Sequence, residues 1–128
     1  MRWIYGALAA LAPVAVFSAN AMPAAPPDNA AGARTFSTCQ ACHTIEKGGR
    51  NGIGPNLGGV IGRRAGSVAG FNYSAAMKNS GIIWDAKVLD EFLAAPTKKV
   101  PGTKMPISVL DPAKRAALIA YLSSRPAQ

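Results

Sequence analysis

Apolar positions in this 128-residue chain fall into short stripes at helical spacing, separated by long stretches without a period. Val88, Leu89, Phe92 and Leu93 form one stripe, with Trp84 and the N-cap candidate Asp85 ahead of it and Pro96 at its end. Leu118, Tyr121 and Leu122 form another, on a helix opened by Asp111 as cap and Pro112 at the first helical position. Near the start, Asp28 or Asn29 can cap a helix running through Ala31, Gly32, Thr35 and Phe36 into Cys39. Ala31, Thr35 and Cys39 share one helical spacing, and Gly32 and Phe36 another, so one face can meet a partner helix. A glycine inside a helix costs ~1 kcal/mol against alanine, so Gly32 marks a close approach, with the first and last helices as the pair that crosses there. Residues 73–79 read as a short helical piece that stops at Gly81, which tolerates a left-handed backbone. No run alternates as a strand does and nothing repeats. The fold class expected is all-α.

Between these stripes, residues 44–70 are rich in glycine, and residues 98–106 read as a second loop with Pro101-Gly102 as its turn. A loop as long as the first is unusual inside a domain, and a large ligand would give it something to wrap. The chain begins as an export signal does. Met1-Arg2 is a short basic start, residues 3–17 are an apolar run, and Ala19-Asn20-Ala21 is a small-x-small cleavage site. The run is shorter than the ~20 apolar residues of a bilayer span and contains Pro13. The organisation expected is a secretory signal over residues 1–21, a Pro/Ala-rich lead-in over 22–27 and one domain over 28–128, in the periplasm after cleavage.

Charge narrows the partners. The chain carries 14 basic and 6 acidic side chains, a net charge of +8, of which Arg2 leaves with the signal. That surplus favours acidic partners and fast, salt-sensitive encounters. Nucleic acid is the other usual partner of a basic protein, but export argues against it, and the cations are scattered along the chain without a basic helix or arm.

Chemistry concentrates in Cys39-Gln40-Ala41-Cys42-His43, which holds both cysteines and the one histidine of the chain. Two cysteines three apart sit on neighbouring faces of a helical turn, and a histidine directly after the second reaches the same point, the arrangement for covalent heme attachment. Both thiols would add to the heme vinyl groups and His43 would ligate iron. Zinc would need a fourth ligand that the chain lacks among Cys and His. A redox dithiol of this spacing belongs near alternating strands and helices, which are missing here. A Cys39–Cys42 disulfide is chemically open in an exported protein, but leaves His43 unexplained.

Opposite His43, iron could take methionine, lysine, an amine or nothing. Met1 is in the signal and Met22 in the lead-in, which leaves Met77 and Met105. Met77 lies in a short helix, where a thioether is commonly core filler. Met105 lies on a loop between Gly102 and Pro106, where nothing else explains an apolar residue, and it is the preferred candidate. A Met/His pair raises the heme potential and fills both axial positions, which leaves one-electron transfer as the chemistry.

With those residues in hand, the chain resembles a class I cytochrome c, of the bacterial cytochrome c2 and mitochondrial cytochrome c type. The match runs through Gly32 and Phe36, Cys39 to Thr44, Gly54-Pro55-Asn56-Leu57, Gly62-Arg63, Gly70-Phe71-Asn72-Tyr73, Trp84, Pro101-Gly102-Thr103-Lys104-Met105, and Leu118 with Tyr121. The resemblance implies a cytochrome c fold wrapped around one covalent heme c. It implies His43 and Met105 on the metal, and Cys39, Cys42, Pro55, Arg63, Tyr73, Trp84 and Thr103 around the cofactor. In that family the Pro55 carbonyl accepts from the free ring nitrogen of the axial histidine, and Arg63, Tyr73 and Trp84 are similar to the residues that satisfy the heme propionates.

Departures from the animal pattern lie at Phe92, where a tyrosine commonly bonds near the methionine sulfur, at Met77, commonly asparagine, and at Ile107, often phenylalanine. The lysine ring at the heme edge is thinner, carried by Lys98, Lys99, Lys104, Lys47 and Arg50.

The expectation is a monomeric, soluble electron carrier and not an enzyme. It would take electrons from a quinol:cytochrome c reductase, deliver them to a terminal oxidase or reductase, and touch those membrane complexes only peripherally. A heme enzyme or gas-binding protein with a displaceable sixth ligand is the alternative, and a carrier tethered by an uncleaved leader is another.

Overall fold

Gly32 sits where two helices cross, α1 (Asn29–Phe36) and α5 (Pro112–Ser123). A Cβ added to Gly32 would run into Tyr121 Cβ and the Ala117 carbonyl oxygen, and would lie 3.2 Å from the Ala117 carbonyl carbon, so backbone meets backbone there. The Phe36 and Tyr121 rings continue the contact at 5.6 Å between centroids. The crossing expected from a single mid-helix glycine is thus present.

This structure, a computed structural model, describes residues 29–125. The expected leader, the lead-in and the candidate cap Asp28 lie outside the described residues. Between the crossing helices come a 3-10 turn (Cys39–Ala41), α2 (Ala75–Lys78), α3 (Ala86–Ala94) and α4 (Pro96–Lys99). Among the described residues the extended pairing is confined to one isolated antiparallel bridge, Arg64 to Ile83, and the all-α expectation holds.

The caps are those read from the sequence. Asp85 Oδ1 accepts from the Val88 amide at 2.7 Å, and Asp111 Oδ1 from the Ala113 and Lys114 amides at 2.8 and 3.3 Å. α3 buries Leu89, Phe92 and Leu93, and α5 buries Leu118, Ile119, Tyr121 and Leu122. Arg115 of α5 clamps α3 through Asp90 at 2.8 Å, and donates to the Val109 and Leu110 carbonyls at 2.9 Å each. It thereby ties the loop that follows Met105 to the helical frame.

Three local expectations are corrected. The first helix ends at Phe36 and does not run into Cys39: the Ser37 and Thr38 hydroxyls donate to the Arg34 and Thr35 carbonyls at 2.6 and 2.9 Å, satisfying the helix end before the cysteines. Residues 96–99 form a helical turn where the loop was expected to begin at Lys98, because Pro96 presets the first helical dihedral. The piece expected over residues 73–79 shortens to α2, capped by Ser74, whose Oγ accepts from the Met77 amide at 3.1 Å.

Substituting Gly32→Val should destabilise the protein by ~1–3 kcal/mol or more, because the clash is with backbone that cannot rotate away. Thermal melting of the heme-loaded protein checks this, and an unchanged curve would refute the crossing.

Candidate heme site

Cys39 opens the 3-10 turn, and its carbonyl accepts from the amides of both Cys42 and His43, at 3.0 and 2.9 Å. This single acceptor winds the five residues so tightly that both sulfurs and the imidazole leave one short stretch of chain. The thiols are free and partly buried, so the disulfide alternative is not formed. Among the described residues no group of three His, Cys, Asp or Glu side chains could hold a metal ion, which leaves the zinc alternative without a site. Burial pushes the Cys39 thiol up; a hydrogen-bond contact with the Thr38 hydroxyl opposes this, and the neighbouring Cys42 adds to it.

The imidazole is fixed from behind. His43 Nδ1 lies 2.7 Å from the Pro55 carbonyl oxygen. A carbonyl can only accept, so Nδ1 carries the proton and Nε2 keeps its lone pair as a potential ligand. Burial lowers the pKa of His43, the Pro55 bond opposes that, and Arg63 adds to the lowering. The ring is therefore held neutral, the form that binds metal. Gly54 permits the approach: a Cβ there would strike His43 Cε1 and lie 2.6 and 2.7 Å from Nδ1 and Nε2.

Behind Pro55 stands Asn56, 2 % exposed and the one buried polar residue among the described core. Its Nδ2 donates to Thr44 Oγ1, the Glu46 carbonyl and the Gly49 carbonyl at 2.8, 2.9 and 3.2 Å, and its Oδ1 accepts from the Gly58 amide at 2.7 Å. Its own amide donates to Asn51 Oδ1 at 2.9 Å, and its carbonyl accepts from Arg63 Nη1 at 3.0 Å. The long loop is thus organised by side-chain amides in place of a helix or strand ladder.

Of the other candidate residues, Arg63, Tyr73 and Trp84 are tied to this loop, while Thr103 and Met105 lie together on the second loop. Arg63 is half-buried, its Nη1 also donating to the Gly58 carbonyl at 3.3 Å; burial lowers its pKa and Tyr73 opposes that. Trp84 is 7 % exposed, its amide donating to the Arg63 carbonyl at 2.9 Å, so those two are brought together through backbone. The Tyr73 hydroxyl accepts from the Val68 amide at 3.2 Å. Thr103 Oγ1 accepts from the Met105 amide at 3.2 Å, and the turn before it closes with the Thr103 amide on the Val100 carbonyl at 3.0 Å. Met105 and Met77 are both partly buried against the core. Asn51, Gly54 and Asn56 were not among the residues singled out for the site, although Gly54 and Asn56 flank Pro55 in the motif that was.

The donor set fits a c-type heme: two free thiols, an adjacent neutral imidazole with one free lone pair, and two thioethers. Residues 29–126 match the family model "Cytochrome c". The chain belongs to the cytochrome c family. It is 50% identical over 97 residues to the cytochrome c2 of Rhodoblastus acidophilus, covering 75% of this chain and 91% of that one. It is 45% identical over 108 residues to the cytochrome c2 of Blastochloris viridis, covering 84% and 85%. Among solved structures it is similar to cytochrome cH from Methylobacterium extorquens, with a TM-score of 0.71 and 47% identity over 77% of this chain and 99% of that one. Like the family's members it carries one covalently attached heme c and belongs with the electron-transfer proteins.

Substituting Gly54→Ala should displace the His43 ring. We expect faster exchange of its Nδ1 proton and a melting temperature lower by about 5 °C or more, the usual size of an overpacking penalty in a domain of this size. Nuclear magnetic resonance and melting of the heme-loaded protein test both.

Proposed function

We propose that this protein is a periplasmic one-electron carrier in which Cys39 and Cys42 would hold the heme through thioether bonds, His43 and Met105 would ligate its iron, and Arg63, Tyr73, Trp84 and Thr103 would surround it. The observation that carries this reading is the 2.7 Å contact from His43 Nδ1 to the Pro55 carbonyl, which leaves Nε2 free beside two free thiols. Heme supplies the reversible one-electron couple; the chain's own residues supply its setting. The Cys39 carbonyl holds the attachment turn, and Pro55 orients the imidazole. Thr103 fixes the amide of Met105, and the Val109 amide, donating to the Leu93 carbonyl at 2.8 Å, pins the far side of the same loop to α3. A loop held on both sides of Met105 keeps its backbone in place through a change of charge. That is the requirement for fast transfer without rearrangement, and it disfavours binding of a substrate.

The domain proposed is residues 28–128, released by cleavage after Ala21 and acting as a monomer. Its donor is a quinol:cytochrome c reductase and its acceptor a terminal oxidase or reductase, both met peripherally through acidic docking sites. Lys47, Arg50, Lys98 and Lys104 are exposed and support that charge complementarity. Lys99 contributes less than the sequence pattern implies, since it is half-buried and paired with Glu91 at 2.6 Å. Glu91 also pairs with Lys87, and hydrogen bonds from the two lysines hold its carboxyl down to about 2.

Two experiments test the proposal. Met105→Ala should keep the covalent heme, lose the near-infrared sulfur-to-iron band of the oxidised protein, lower the potential and admit carbon monoxide. If Met77→Ala does this and Met105→Ala does not, the ligand assignment is wrong. For the partner, the bimolecular rate against an acidic redox protein should fall with added salt as the Debye length shrinks from ~10 Å at 0.1 M to ~3 Å at 1 M. Stopped-flow rates independent of salt would remove charge steering from the account.

A further inference from the structure

The peptide unit joining Pro55 to Asn56 is engaged at both ends. Its oxygen accepts from His43 Nδ1 at 2.7 Å, and its N–H donates to Asn51 Oδ1 at 2.9 Å. In a trans peptide these two groups point in opposite directions and share one rigid plane, and no peptide bond described here is cis. Where the N–H is held, the carbonyl is aimed. Asn51 is itself held, since its Nδ2 donates to the Ala69 carbonyl at 3.1 Å, across the loop. Pro55 contributes no N–H, so hydrogen bonding cannot control this peptide from the preceding backbone amide. The flanking chain is held by the Asn56 side chain, clasped by Thr44, Glu46, Gly49 and Gly58, by Arg63 on the Asn56 carbonyl, and by the Gly54 and Leu57 amides, but none of these bonds is made by the peptide unit itself.

We propose that Asn51 is a positioning residue that aims the Pro55 carbonyl at His43 through this peptide plane, and thereby sets how strongly the imidazole donates to iron. The inference rests on the reading of His43 as axial ligand. A carbonyl well aligned on Nδ1–H makes the imidazole a stronger donor and favours ferric iron; a misaligned one weakens the ligand and raises the potential. Asn51 is only partly buried, so with its amide removed water can satisfy the Asn56 N–H from that side without holding it in one direction. The aim is then loosened while the fold retains its clasp.

The test uses the heme-loaded full chain. Asn51→Ala should speed exchange of the His43 Nδ1 proton by about tenfold, the size of one lost hydrogen bond, and raise the midpoint potential. Asn51→Asp keeps an acceptor at the same place and loses the bond to Ala69, and should return exchange towards the parent rate. Asp111→Ala, which removes the α5 cap, should lower the melting temperature and leave both readouts unmoved. The proposal is overturned if Asn51→Ala matches the parent in exchange and potential, or if Asp111→Ala shifts them equally, since a general loosening would then suffice. A parent protein lacking a heme-shifted His43 resonance would instead overturn the ligation reading, and the proposal with it.

Discussion

The contact between His43 Nδ1 and the Pro55 carbonyl governs the arrangement of the long loop. It reaches across twelve residues to put a backbone oxygen behind an imidazole, and nearly everything between the two ends serves to bring them together. Gly54 removes the one side chain that would block the approach. The Gly54 amide donates to the Cys42 carbonyl at 2.8 Å and the Leu57 amide to the Thr44 carbonyl at 2.9 Å, so the returning chain is laid alongside the attachment turn. A segment with so little regular structure would otherwise leave buried backbone groups unsatisfied. Here side-chain amides take the role a ladder plays elsewhere.

The helices form the frame for that loop. α1 and α5 meet through bare backbone at Gly32, and α3 is fixed to α5 by Arg115 and Asp90. Phe36, Trp84, Leu89, Phe92, Leu93, Leu118 and Tyr121 supply the apolar mass. A domain of this size buries a modest share of its surface, and an apolar prosthetic group adds to the core as well as to the chemistry. Cofactor and stability are therefore linked in this family member: what loosens one exposes the other.

Much of this is legible in the amino-acid sequence. The caps at Asp85 and Asp111 and the attachment turn depend on neighbours within a few residues, and local chemistry leaves a local trace; the crossing at Gly32 is long-range, and is legible because a glycine inside a helix is costly unless something comes close to it. The end of α1 was misplaced because Ser37 and Thr38 read as ordinary surface residues until their hydroxyls are seen to take up the helix carbonyls. α4 was missed because four residues carry no period, and Pro96 reads equally as the end of one helix and the start of another. Asn51 and Asn56 are the instructive omissions. Their partners lie from two to eighteen residues away, so no spacing in the sequence marks them out. A polar residue between Pro55 and the apolar Leu57 was the available sign.

The crossing of α1 with α5 also fixes an order of events. α1 precedes the attachment turn by two residues, yet the helix it packs against is the last of the described elements to be made, so its main contact is among the longest in the chain. Until residues 112–123 exist, α1 has no partner for its Gly32 and Phe36 face, and the Cys39–His43 turn stands next to a helix that is unsupported. The attachment turn is thus joined to a helix that lacks its partner until the chain is nearly complete, and pairing of the two terminal helices is the step that gives the turn a fixed support.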